Sequence, residues 1–153
     1  PIAAPPLRPL KGQLVRLRGP RLLHHLVRTP DVYLVARADG ELLVGATMEE
    51  QGYDLRPTAG AVLELLRRGQ ELLPALDELE LREISVGLRP AVDDHLPVVG
   101  ESEVRGLFLA LGHFRHGILL APATAHYLAG WIEQGRPPAE LAPFRPERLA
   151  VRG

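Results

Sequence analysis

The chain has 153 residues, enough for one ordinary domain, with 46% apolar and 24% charged side chains, the balance of a globular rather than a disordered protein. Its 18 basic and 19 acidic residues give a net charge of -1, which excludes the basic surface that non-specific nucleic-acid binding needs. It holds no cysteine, so disulfides, thiolate metal sites and cysteine nucleophiles are excluded together, and a cytoplasmic setting is expected.

The first five elements follow from local chemistry. Pro5-Pro6-Leu7-Arg8-Pro9 reads as an extended lead-in, because proline removes a donor and restrains its predecessor. Gln13 to Arg18 alternates as a strand, with Gln13, Val15 and Leu17 on one face and Leu14, Arg16 and Arg18 on the other. Asp31 to Arg37 and Glu41 to Met48 are β-rich runs separated by Asp39-Gly40, the sequence signal of a tight hairpin. Two turn residues at 39 and 40 predict that Ala38 pairs with Glu41, Tyr33 with Ala46 and Asp31 with Met48. Thr58 is the expected N-cap of a helix whose apolar stripe runs through Val62, Leu65, Leu66, Gly69, Leu72 and Leu73 to a stop at Pro74.

Further along, Arg82 to Arg89 alternates again, with Ile84, Val86 and Leu88 on one face and Ser85, Gly87 and Arg89 on the other. Two short strands follow near Leu96 to Val99 and Leu107 to Leu111. The apolar run from Gly117 to Ile132 contains Pro122 and His126 and is shorter than the ~18 residues a membrane span requires. It reads as part of a buried helix from about His116 to Gly135. Arg136-Pro137-Pro138 and the residues after it read as a loose C-terminus. The order predicts an α+β fold, mainly an antiparallel sheet with one inserted and one C-terminal helix.

Four segments resemble the D-amino-acid oxidase superfamily, and its glycine oxidases of thiamine biosynthesis in particular. They are Arg8-Pro9-Leu10-Lys11-Gly12-Gln13; Leu43-Val44-Gly45-Ala46-Thr47-Met48; Gly87-Leu88-Arg89-Pro90 with Asp94 and Pro97-Val98-Val99-Gly100; and the stretch from Gly112 through His113, Phe114, Arg115, His116, Gly117 and Ile118 to Ala125. They occur in order from about Arg8 to Gly135. The resemblance implies residues 1–153 as a substrate-binding domain, with a flavin-facing segment over 112–135. The Gly-x-Gly-x-x-Gly turn that holds the FAD diphosphate in such proteins has no counterpart in this sequence, so the chain alone is expected not to retain FAD.

On spacing alone Arg89 reads as an arginine on a solvated sheet face. The resemblance instead implies a planar fork that clamps a substrate carboxylate, with Tyr33 as a second donor and Met48 limiting side-chain size. It assigns Gly112, His113, Phe114, Arg115, His116, Gly117 and Ile118 to the flavin, where a helix N-terminus would stabilise negative charge. Arg115 is an active-site arginine on the same grounds, facing substrate or flavin. His113, His116, His24, His25 and His95 read as surface or capping histidines, and no metal site is expected. The activity implied is oxidation of glycine or a small amine to glyoxylate, ammonia and hydrogen peroxide. The alternatives are a sibling flavin enzyme for sarcosine, proline or D-amino acids, and a non-catalytic binding module. The partners expected are a small amino acid and a second copy of the chain, with neither nucleic acid nor membrane.

Overall fold

A computed structural model describes residues 6–149; Pro5 of the lead-in and the last four residues fall outside that range. The elements run β1 (Arg8–Arg18), β2 (Val27–Arg28), β3 (Tyr33–Ala36), β4 (Glu41–Gly45), α1 (Ala59–Leu72), β5 (Glu80–Ala91), β6 (Val98–Glu101), β7 (Phe108–Leu111) and α2 (Gly117–Gln134). One sheet has the order β2-β3-β4-β1-β5, and β6 and β7 form a second. The pairings β1–β4, β2–β3, β3–β4 and β6–β7 are antiparallel. This is the expected α+β architecture. The described residues divide into two compact units, 10–88 and 6–9 with 89–149. No helix among them is long and apolar enough to cross a membrane.

In the unit 10–88 the predicted alternation holds. Val15, Leu17, Leu34, Leu42 and Val44 are buried with Leu65 of α1 and Leu76 in one core. Gly69 lets the helix approach the sheet: a Cβ there would lie 3.1 Å from Val44 Cγ1 and 2.9 Å from Leu76 Cδ1. Gln13 is buried on the same face as Val15, and Lys11 is buried two residues earlier. Thr58 stands at the N-cap of α1, but its side chain makes no capping bond. Its hydroxyl instead accepts from Gln13 Nε2 at 3.1 Å, and its amide donates to Gln13 Oε1 at 2.9 Å. A buried glutamine thus does the satisfying that a helix end needs.

The hairpin register differs by one residue from the expected one. Tyr33 pairs with Gly45, Val35 with Leu43 and Ala36 with Leu42. The loop has three residues rather than two. Gly40 takes φ +85°, its amide donates to the Arg37 carbonyl, and the Arg37 amide donates to the Glu41 carbonyl. This is a type I turn closed by a left-handed glycine. Because side chains alternate, the slip removes Tyr33 and Met48 from a shared ladder. Strand β4 ends at Gly45, and Met48 lies beyond it, 60% exposed.

Two further corrections fall in the other unit. The helix α2 forms where expected, but only Trp131 is buried along it, while Ile118, Leu119 and Ile132 are exposed. It ends at Gly135, φ +66°, whose amide donates to the Trp131 carbonyl at 2.9 Å. The described residues after α2 are not loose. Residues Ala139–Phe144 and Pro146–Leu149 form 3-10 turns, and Leu141 is buried with Trp131 and Val99. Arg148 grips Asp94 at 2.9 and 3.3 Å and donates to the Leu96 carbonyl at 2.8 Å. A contact between residues 54 apart in sequence leaves no local signal, so composition alone gave a tail.

The Arg148 guanidinium, and then the Leu96 amide, hold the Asp94 carboxyl below the ordinary carboxylate range. A depressed pKa adds stability that is present above the unfolded value of about 3.9 and lost as pH falls through the folded one. The tail is therefore expected to stay docked at pH 5 and to loosen in acid below about pH 4. Trp131, the only tryptophan, reports this as a fluorescence step. Arg148→Gln removes that step if the pair is its cause.

Candidate functional site

The turn between β7 and α2 is built to hold backbone in unusual conformations. Gly112 has φ +71° and is buried. A Cβ there would meet Val92 Cγ1 at 3.5 Å and Leu7 Cδ2 at 3.6 Å, ordinary contacts, so the positive φ rather than crowding calls for glycine. Phe114 follows with φ +52°. Its amide donates to the Pro90 carbonyl at 2.9 Å, and the His116 amide donates to the His113 carbonyl at 2.9 Å. His113 Nε2 lies 2.9 Å from Thr124 Oγ1 on α2. Burial lowers the His113 pKa, which favours the neutral ring. The two bonds of His113 and Phe114 fix the turn to the helix on one side and to the end of β5 on the other.

Arg89 is half-buried on β5, immediately before Pro90. The Phe114–Pro90 bond therefore brings the turn to the strand end that carries this arginine. Arg115 is exposed, its guanidinium carbon 5.5 Å from the centroid of the Phe114 ring. His116 is exposed at the N-cap of α2 and makes no capping bond, and no acidic residue occupies the first turn. Gly117 opens the helix, and Ile118 and Leu119 stand 95% and 75% exposed in its first turn. An uncapped helix N-terminus beside exposed apolar side chains suits a planar ring system whose polar edge takes on negative charge. The residues present fit a flavin.

Tyr33 and Met48 belong to the unit 10–88. Tyr33 is half-buried on the sheet face opposite the core, over its partner Gly45. A Cβ on Gly45 would fall 2.5 Å from the Tyr33 hydroxyl and 2.7 Å from Leu14 Cδ1. Glycine at 45 is the seat of the Tyr33 ring, which a glycine inside a strand can signal and which sequence reasoning passed over. It also passed over the buried bonds behind Met48. Gln13 Nε2 donates to Glu49 Oε1 at 2.9 Å, the Gln13 amide donates to Thr47 Oγ1 at 2.9 Å, and Lys11 Nζ donates to the Arg56 carbonyl at 2.6 Å. Arg56 also pairs with Asp54, holding its carboxyl far below the ordinary range. Among the described residues no group of three or more His, Asp or Glu is placed to hold a metal ion.

The family model described as FAD dependent oxidoreductase matches residues 1–131. The glycine oxidase of Geobacillus kaustophilus is 40% identical over 89% of this chain. The hydrogen cyanide synthase subunit HcnC of Pseudomonas aeruginosa is 37% identical over 95% of it. The chain spans 37% of the length of each of these relatives. The crystal structure of the Geobacillus kaustophilus glycine oxidase superposes with a TM-score of 0.86 at 37% identity, covering 98% of this chain and 40% of that one. A match over most of the chain, in sequence and in fold, places it: this chain belongs to the DAO family of FAD dependent oxidoreductases.

Proposed function

We propose that this chain is the substrate-side portion of an oxidase that oxidatively deaminates glycine, or a small amine. The balanced reaction for glycine takes up dioxygen and water and releases glyoxylate, ammonia and hydrogen peroxide. The observation that supports this reading is the hydrogen bond from the Phe114 amide to the Pro90 carbonyl. It ties an uncapped helix N-terminus to the strand end bearing Arg89, so a cation for a carboxylate adjoins a turn suited to a flavin. When bound, FAD supplies the hydride acceptor and passes the electrons to dioxygen.

The chain's own groups bind and orient. Arg89 holds the substrate carboxylate through two parallel hydrogen bonds, which fixes the α-carbon for reaction. The first-turn amides of α2 and the backbone of Gly112 to Ile118 hold the flavin and favour negative charge there, while the Arg115 side chain faces the amino-acid substrate. The roles of Tyr33 as a phenolic donor and of Met48 as a limit on side-chain size rest on the resemblance alone. A place in thiamine biosynthesis is part of the same reading, since a bifunctional ThiO/ThiG protein of Trichormus variabilis is 36% identical over 94% of this chain. A second reading, a sibling flavin enzyme for another small amine, is favoured by the likeness to the iminodiacetate oxidase of Chelativorans sp. BNC1, which superposes with a TM-score of 0.83 at 32% identity over 94% of this chain.

The test is an absorbance spectrum of the FAD-loaded protein that contains this chain, followed by glycine without oxygen. Bleaching of the flavin bands and recovery in air supports the glycine oxidase. A flavin that ignores glycine and bleaches with sarcosine or proline moves the substrate to the sibling. A protein that binds no flavin removes the enzyme reading.

A further inference from the structure

His95 and Phe114 are the two non-glycine positions with positive φ among the described residues, at +59° and +52°. Left-handed backbone is uncommon for any residue with a Cβ; histidine, like Asn and Asp, enters it more readily than most, and a bulky phenylalanine does so rarely. The two rings stack on each other, with centroids 4.9 Å apart and planes inclined by 23°. Conformations of this kind persist where surrounding bonds over-determine them, and here those bonds can be named.

On the His95 side, its amide donates to the Val92 carbonyl at 3.0 Å and the Leu96 amide donates to Asp94 Oδ1 at 3.0 Å. Arg148 then clamps both Asp94 and the Leu96 carbonyl. On the Phe114 side, the amide is bound by the Pro90 carbonyl. The Phe114 ring thus has His95 stacked on it and the guanidinium of Arg115 close by, at 5.5 Å. Asparagine or glycine at 95 would satisfy the same left-handed turn; only a ring satisfies the stack.

We propose that His95, braced by Arg148, is a positioning residue for Arg115: its stack on Phe114 fixes the platform that sets the direction of the Arg115 guanidinium. The proposal rests on the reading that Arg115 faces the amino-acid substrate. An exposed arginine samples many rotamers, and a held aromatic face narrows them through cation–π attraction. The C-terminal turn at Arg148 acts on Arg115 through Asp94, His95 and Phe114 without touching it.

The test separates ring from backbone. His95→Asn keeps a residue at ease in the left-handed region and removes the stack; His95→Tyr keeps a flat ring. In the isotope-labelled protein that contains this chain, His95→Asn is expected to shift the Phe114 ring-proton resonances and lower the order parameter of the Arg115 Nε–H, and His95→Tyr to restore both. In the FAD-loaded protein, His95→Asn is expected to raise KM for the amino acid by roughly two- to fivefold with kcat near wild type, the range of an exposed cation–π pair. Should His95→Asn fail to fold, Arg148→Lys loosens the same brace, and a smaller change in the same signals is expected. An Arg115 whose order is unmoved in both variants overturns the brace. Lowered Arg115 order with an unchanged KM overturns its part in substrate binding. A protein that turns over no small amine sinks the functional reading while the resonance measurement still decides the brace.

Discussion

Arg89→Ala is expected to lower kcat/KM for the amino-acid substrate by about a hundredfold in the FAD-loaded protein. The side chain is half-buried on β5, where a guanidinium–carboxylate pair is partly shielded from water. Hydrogen bonds to charged groups are worth about 1.5–3 kcal/mol, and a factor of ten in rate or affinity is about 1.4 kcal/mol. Losing a bidentate pair therefore reaches two decades. The loss should fall mainly on KM if the clamp only binds, and on kcat as well if it also fixes the α-carbon. Arg89→Lys restores the charge without the planar fork and is expected to recover part of the loss. The sharpest control is the substrate: an amine of similar size without a carboxylate should be indifferent to both substitutions. If Arg89→Ala leaves the KM of the carboxylate substrate as in wild type, the clamp is assigned to the wrong residue.

The sequence made the order of elements legible because each rests on short-range patterns. The stripe from Val62 to Leu73 became α1, stopped before Pro74, and the alternation at Gln13, Val15 and Leu17 put three buried side chains on one face. The resemblance assigned Arg89 to the carboxylate and the turn at Gly112 to Ile118 to the flavin; that the Phe114–Pro90 bond joins the two segments came only with the structure. What stayed hidden depends on other information. Asp39-Gly40 serves a two-residue or a three-residue loop equally well, since both need glycine at positive φ, so the register of Tyr33 was open by one residue. The left-handed state of His95 is braced by Arg148 and that of Phe114 by Pro90, and neither partner lies in a short window around the residue it holds. The apolar face of α2 predicted burial, but hydrophobicity does not say what covers it, and Ile118 and Leu119 are exposed among the described residues.

Gln13→Leu is expected to cost more stability than any other single change of similar volume in the unit 10–88. Gln13 is fully buried. Its side chain donates to Glu49 and Thr58 and accepts from the Thr58 amide. Leucine fills much of the space and provides none of the bonds. Each buried polar group left without a partner costs about 1–3 kcal/mol, so roughly 3 kcal/mol is expected, or a fall in Tm of about 10 °C for a chain of this size. Lys11→Met makes the contrast. It removes a fully buried cation, yet Asp54 keeps its bonds to Arg56 and no lone charge remains, so a smaller fall is expected. Hydrogen exchange locates the damage. With Gln13→Leu the amides from Thr47 to Thr58 should exchange faster than those of the β3–β4 hairpin, because these bonds fasten that segment to β1. A Tm within about 2 °C of wild type would mean that the segment carrying Met48 is held by something other than Gln13. A large fall in Tm with exchange raised evenly would make Gln13 a core residue for the whole unit rather than the anchor of one segment.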